Sequence, residues 1–114
     1  MGTAQQLRVD ARSEQDRVVI RLEGELDLAS APLLQAALEE AETDAASTLV
    51  LDLRQLRFMD STGLRIILWA RERWRSRGQE LALTVGSSQV QRLLAVSGVG
   101  EHLRVIATPD ALLV

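Results

Sequence analysis

The chain has 114 residues, 46% of them apolar, a formal net charge of −3, a single histidine and no cysteine. That length suits one domain with its own core, and the mild acidity argues against non-specific nucleic-acid binding. The missing cysteine excludes disulfides, thiolate metal sites and cysteine nucleophiles; one histidine, His102, leaves no His-based metal site; and no apolar run is long enough for a membrane span.

Residues 1–6 read as a loose terminus without a signal-type pattern, so a cytoplasmic protein is expected. Leu7-Arg8-Val9-Asp10-Ala11 alternates as a half-buried strand. Residues 13–17 are polar and turn the chain into a second strand, Val18 to Glu23, giving a hairpin. Gly24-Glu25-Leu26-Asp27 ends it. Ser30 is the expected N-cap of a surface helix, with Pro32 in its first turn and Leu33, Leu34, Ala37, Leu38 and Ala41 on its buried face.

Residues 48–53 are apolar except for Asp52, which suits a central strand with both faces covered. A short turn, then Phe58-Met59, leads to Asp60-Ser61-Thr62-Gly63 and a long helix. Either Asp60 or Ser61 can cap that helix. At 100° per residue, Leu64, Ile67, Ala70 and Trp74 share one side, and Arg65, Trp69 and Glu72 lie opposite. Gly78 follows as a C-cap. Leu81, Leu83 and Val85 alternate as a strand. Ser88 and Gln91 suggest a capping box for a short helix burying Val90, Leu93 and Leu94. Residues 103–106 form the last strand, and residues 109–114 allow one or two helical turns. The order is β-β-α-β-α-β-α-β-(α): an α/β fold, one domain over residues 1–114, with a mixed, mainly parallel sheet and helices packed beside it.

An enzyme would need placed acids or a tuned histidine. Asp27, Asp52, Asp60 and His102 are the available groups, but no lysine exists for a phosphate loop and no dinucleotide fingerprint is present. Neither catalysis nor a cofactor or metal is expected. Asp52 has two readings, a sheet-end ion pair with an arginine or an aspartyl phosphoacceptor. Asp60 to Gly63 can be a cap and turn, or Ser61 can be a phosphoacceptor. A phosphate there meets the positive end of a helix and adds about two negative charges beside Asp60. Trp74 reads as core. Trp69 reads either as an exposed interface anchor with Arg65 or as a ring packed along arginine stems.

Three stretches together resemble a known family. They are Gly24 through Pro32; Leu49-Val50-Leu51-Asp52-Leu53 with Phe58 through Leu64; and Val96-Ser97-Gly98-Val99 with Leu103 and Ile106. The chain is similar to STAS domains, in particular the free-standing bacterial anti-sigma factor antagonists. The resemblance implies a partner that is both anti-sigma factor and serine kinase. It implies phosphorylation at Ser61 that breaks the complex, and a serine phosphatase that restores it. Asp27, Asp60, Ser61, Thr62, Gly63, Arg65 and Trp69 are the expected partner surface, with no direct nucleic-acid contact and no membrane insertion. The same loop also occurs in STAS subunits of membrane-associated lipid-transport complexes and in signalling scaffolds without a phosphoryl cycle, which is the alternative.

Overall fold

The structure, a computed structural model, describes residues 6–113. The expectations for residues 1–5 and for Val114 lie outside that range. The elements are β1 (Leu7–Glu14), β2 (Arg17–Leu26), α1 (Ala31–Ala41), β3 (Thr48–Met59), α2 (Ser61–Ser76), β4 (Glu80–Val85), α3 (Ser88–Val96) and β5 (Arg104–Val105). Short 3-10 turns occupy Val99–His102 and Pro109–Leu113. One sheet runs β1-β2-β3-β4-β5, with β1 antiparallel to β2 and every other pair parallel. The expected α/β order holds, and β3 is central.

Alternation along the strands sorts the core. Ile20 and Leu22 of β2, Leu49, Leu51 and Leu53 of β3, and Leu81 and Leu83 of β4 join one buried cluster. Leu34 and Leu38 of α1, Ile67, Ala70 and Trp74 of α2, and Val90 and Leu94 of α3 complete it. All three helices therefore cover the same sheet face. The intervening residues Val19, Val50, Asp52, Ala82 and Thr84 are also buried, on the opposite face. The Pro109–Leu113 turn contacts β3, and Asp110 pairs with the buried Arg17 at 3.0 Å. The last segment is thus a 3-10 strap rather than an α-helix.

Several boundaries differ from the sequence reading, each for a tertiary reason. Ser13 and Glu14 are strand residues, because they pair with Val18 and Arg17; only Gln15 and Asp16 turn. Both β2 and β3 are longer than their apolar runs. Leu53 is the last β3 residue opposite β4, at Val85, while β2 stays beside β3 up to the Leu26–Met59 pair. The second half of β3 has one strand neighbour, so Arg54, Gln55 and Arg57 can be polar and exposed without breaking the strand. The expected turn before Phe58 is absent. Gly24 lies inside β2, where the register shifts. Its φ is +109°, and a Cβ there would fall 2.1 Å from the Gln6 carbonyl oxygen, so only glycine fits.

On α1 the buried line is Ala31, Leu34, Leu38 and Ala41, and Leu33 faces outward. The α2 wheel holds: Leu64, Ile67, Ala70 and Trp74 are buried, while Arg65, Trp69 and Glu72 are exposed. Past its end, the Gly78 N–H donates to the Arg75 carbonyl (3.0 Å) and the Gln79 N–H to the Trp74 carbonyl (2.8 Å). Those two bonds form a Schellman ending. On α3 the cap is Ser87, one residue before the expected one; its Oγ accepts from the Gln89 N–H at 3.1 Å.

Trp74 is 3% exposed in the α2 face of the core. Trp74→Ala is expected to destabilise the fold by about 3–5 kcal/mol. Chemical denaturation measures it; a loss below about 1 kcal/mol would mean that the ring carries little of the packing.

Candidate functional site

The carboxyl ends of β2 and β3 and the N-terminal ends of all three helices meet at one edge of the sheet. Asp60 organises this edge. Its Oδ1 accepts from the Thr62 N–H at 2.9 Å and the Gly63 N–H at 3.3 Å, so Asp60 is the N-cap of α2. The Asp60 N–H donates to the Leu26 carbonyl at 3.1 Å, tying the loop to the end of β2. Gly63 is buried directly beneath. A Cβ there would stand 2.6 Å from Leu26 and 2.8 Å from Met59. The glycine lets the first turn of α2 sit on both strands, and it acts by position, since its surface is covered.

With Asp60 as cap, Ser61 becomes the first helical residue and is exposed. Its hydroxyl is not needed for capping. It stands at the positive end of α2, where the helix dipole stabilises added negative charge while Asp60 already takes the Thr62 and Gly63 N–H groups. Thr62 is half-buried behind it.

Asp27 and Ser30 form the neighbouring wall. The Asp27 carboxylate accepts from the Ser30 N–H (3.1 Å), and Ser30 Oγ accepts from the Asp27 N–H (3.0 Å). Ser30 Oγ also donates to the Glu25 carbonyl at 2.9 Å. This is a reciprocal capping box for the turn that feeds α1, completed by the Ala31 N–H on the Asp27 carbonyl at 2.8 Å. Ser30 was the expected side-chain cap of α1 itself. It makes no such bond; it is buried and closes the preceding turn. Of the two serines, Ser30 is spent on structure and Ser61 is open.

The third wall was not foreseen. Gln89 of α3 accepts from the Met59 N–H at 2.9 Å and donates to the Met59 carbonyl at 3.0 Å. Ser87 Oγ donates to the Arg57 carbonyl at 2.9 Å. These side chains serve as strand partners for β3 where β4 has already ended. A glutamine two residues past a helix cap gives no local signal for that role. The Asp27–Ser30 reciprocity was legible, since acid and hydroxyl three apart before a helix are the capping-box spacing.

Arg65 and Trp69 flank the site on α2. Trp69 is 39% exposed, and the Arg73 guanidinium lies 5.9 Å from its ring centroid, so the ring is both open and partly covered by an arginine. Gln35, Thr62, Arg65, Ile66 and Trp69 line a shallow groove between α1 and α2. Leu28 adds an apolar tip, 74% exposed, beside Asp27, and Phe58 is exposed near the end of β3.

Asp52 stands apart from this edge. It is 2% exposed on the opposite sheet face. Arg54 grips its two oxygens at 2.9 and 3.0 Å, and Thr84 Oγ1 donates to it at 2.6 Å. Burial pushes the carboxyl up, but the bonds from Arg54 and Thr84 outweigh it and hold the pKa below its usual value. The ion-pair reading of Asp52 holds. His102 lines a separate groove with Arg71 and Arg75. Asp27, Asp52, Asp60 and His102 therefore do not converge, and among the described residues no group of three potential metal ligands forms.

Comparison with known proteins gives a consistent result. Residues 9–108 match the family model described as "Mlab, STAS domain". The chain is 32% identical over 93 residues to the anti-sigma F factor antagonist of Paenibacillus polymyxa, covering 81% of this chain and 80% of that one. An anti-sigma factor antagonist from Mycobacterium paratuberculosis has the same fold, with a TM-score of 0.87 at 22% identity over 96% of this chain and 94% of that one. The anti-sigma factor antagonist SpoIIAA, solved in its unphosphorylated form, gives 0.78 at 25% identity over 92% and 93%.

Asp52→Asn is expected to cost about 1–3 kcal/mol, because the buried Arg54–Thr84 arrangement loses its charged acceptor. The folded-state pKa is lowered, so the carboxylate's contribution is complete above the ordinary carboxylate pKa and fades as pH falls toward the folded value. Denaturation of both proteins from pH 7 to pH 2 should show the gap closing at the acid end. A gap independent of pH would mean that the charge contributes nothing.

Proposed function

Because the chain belongs to the STAS domain family, among its anti-sigma factor antagonists, we propose that it binds an anti-sigma factor with serine kinase activity and thereby frees a sigma factor. Phosphorylation of Ser61 ends that binding, and a serine phosphatase reverses it. The observation that carries this reading is the division of labour at the start of α2. Asp60 alone makes the cap bonds, which leaves Ser61 exposed at the positive end of the helix. Phosphate can be added there without removing a structural bond, and it changes the surface charge by nearly two units.

The partner surface in this reading is the edge itself. Asp27, Asp60 and Gly63 shape it; Ser61, Thr62, Arg65 and Trp69 meet the partner. An exposed tryptophan beside an arginine is the composition of an interface anchor. The ATP site belongs to the partner, so no group of this chain acts as a base. Among the described residues no helix is long and apolar enough to cross a membrane, which is compatible with the cytoplasmic location the reading needs.

The match to the "Mlab, STAS domain" model favours one second reading, a STAS subunit of a membrane-associated complex without a phosphoryl cycle. Incubation with a kinase-type anti-sigma factor encoded beside this chain, with ATP and mass-spectrometric mapping, separates the two. Phosphate is expected on Ser61 in the wild type and nowhere in Ser61→Ala, Thr62 included; that variant keeps its fold and its binding. Modification of Thr62 alone moves the site; tight binding to a transporter subunit with no phosphate on either residue favours the second reading. Trp69→Ala is expected to weaken the complex by about 2 kcal/mol or more with little change in melting temperature. Calorimetric titration of the same partner measures it, and unchanged affinity with a lowered melting temperature would make Trp69 a packing residue.

A further inference from the structure

The arginines of this chain are almost all spoken for. Of thirteen basic side chains, every one an arginine, all but Arg65 and Arg92 have a carboxylate within 4.0 Å among the described residues. Arg92 is on α3. Arg65 is on α2, four residues after Ser61, and both are exposed. Residues at i and i+4 are neighbours on a helix surface, roughly 5–6 Å apart at Cβ. Side chains on a helix tilt toward its N-terminus, which brings a group at position 61 within reach of an arginine at position 65. An acidic group N-terminal to a basic one is also the more favourable order.

The other charges around this point are already engaged. Asp60 accepts from Thr62 and Gly63, and Asp27 accepts from Ser30. Arg57 stands 3.9 Å from Glu25. On α1, Glu39 accepts from Gln35 at 3.4 Å. Arg73, over the Trp69 ring, is held by Glu42. The one unpaired cation at the site is one helical turn from the proposed phosphoacceptor.

We infer that Arg65 is an intramolecular receptor for a phosphate on Ser61, and that this capture withdraws Arg65 from the groove it shares with Trp69. The inference deepens the switch above and rests on Ser61 being the modified residue. In the unmodified chain Arg65 offers an unpaired guanidinium beside Trp69, suited to a partner carboxylate. After modification the guanidinium turns to the phosphate, whose planar, multi-oxygen face suits arginine. The phosphate then acts twice: it adds charge near Asp60, and it removes the cation from the docking groove.

The test uses full-length chain with phosphoserine installed at position 61 during translation, so no kinase is involved. Phosphorus NMR follows the second ionisation of the phosphate in this protein and in its Arg65→Gln and Arg65→Lys variants. With Arg65 present, the phosphate pKa is expected to lie about 0.15–0.4 unit lower than in Arg65→Gln, the scale of a helical i,i+4 pair. Arg65→Lys should recover part of the shift, and 1 M salt should erase most of it. The same pKa in wild type and Arg65→Gln overturns the inference, as does a shift that vanishes in Arg57→Gln instead. A clear Arg65-dependent shift in a chain that no kinase modifies would uphold the receptor and remove the switch, so the two failures are distinguishable.

Discussion

One carboxylate holds the functional edge together. Asp60 accepts two backbone N–H groups of α2, while its own N–H reaches the carbonyl of Leu26. The same residue therefore fixes where α2 starts and how that start sits against β2. Gly63 permits the approach by leaving no Cβ between α2 and the strand ends. If a neighbouring residue took the cap, Ser61 would change its place on the helix and its exposure. The position of the hydroxyl is a consequence of the Asp60 capping bonds to Thr62 and Gly63.

The edge is held by individual polar bonds, some within one turn and some between segments distant in the chain. Asp27 with Ser30, Ser87 with Arg57, and Gln89 with Met59 each replace a ladder bond that the sheet cannot supply where strands end. Each is worth about 1 kcal/mol. The core beneath, from Leu51 and Leu53 to Ile67 and Trp74, is apolar and continuous. Large stability and a readily altered surface thus come from different parts of the same chain. Ser61, at the exposed start of α2, belongs to the second and not to the first.

Charge follows the same division. Arginines far from the edge are neutralised in pairs, such as Arg17 with Asp110 and Arg54 with Asp52. Arg65 has no such carboxylate partner among the described residues and lies one helical turn from Ser61, well within a Debye length. Trp69 lines the groove beside that charge, and Leu28 and Phe58 are further exposed apolar groups near the strand ends. The proposed partner surface would rely on these few side chains rather than on extended apolar area.

The sequence by itself determined the fold class, the central place of β3 and the inward face of α2. Those features are written in periodicity and, for β3, in a near-continuous apolar run, and both survive without knowledge of neighbours. It also pointed to Asp60 and Ser61, because a cap is chosen within four residues. Tertiary structure decided everything that depends on a partner distant in the chain. The second half of β3 is a strand only because β2 runs beside it. Ser30 is buried only because it closes the turn after β2, against Glu25 and Asp27. Gln89 matters only because β4 stops short and leaves Met59 without a strand partner on that side. Backbone polar groups must be satisfied by whatever lies near them in space, and nearness in space is what a linear pattern does not contain.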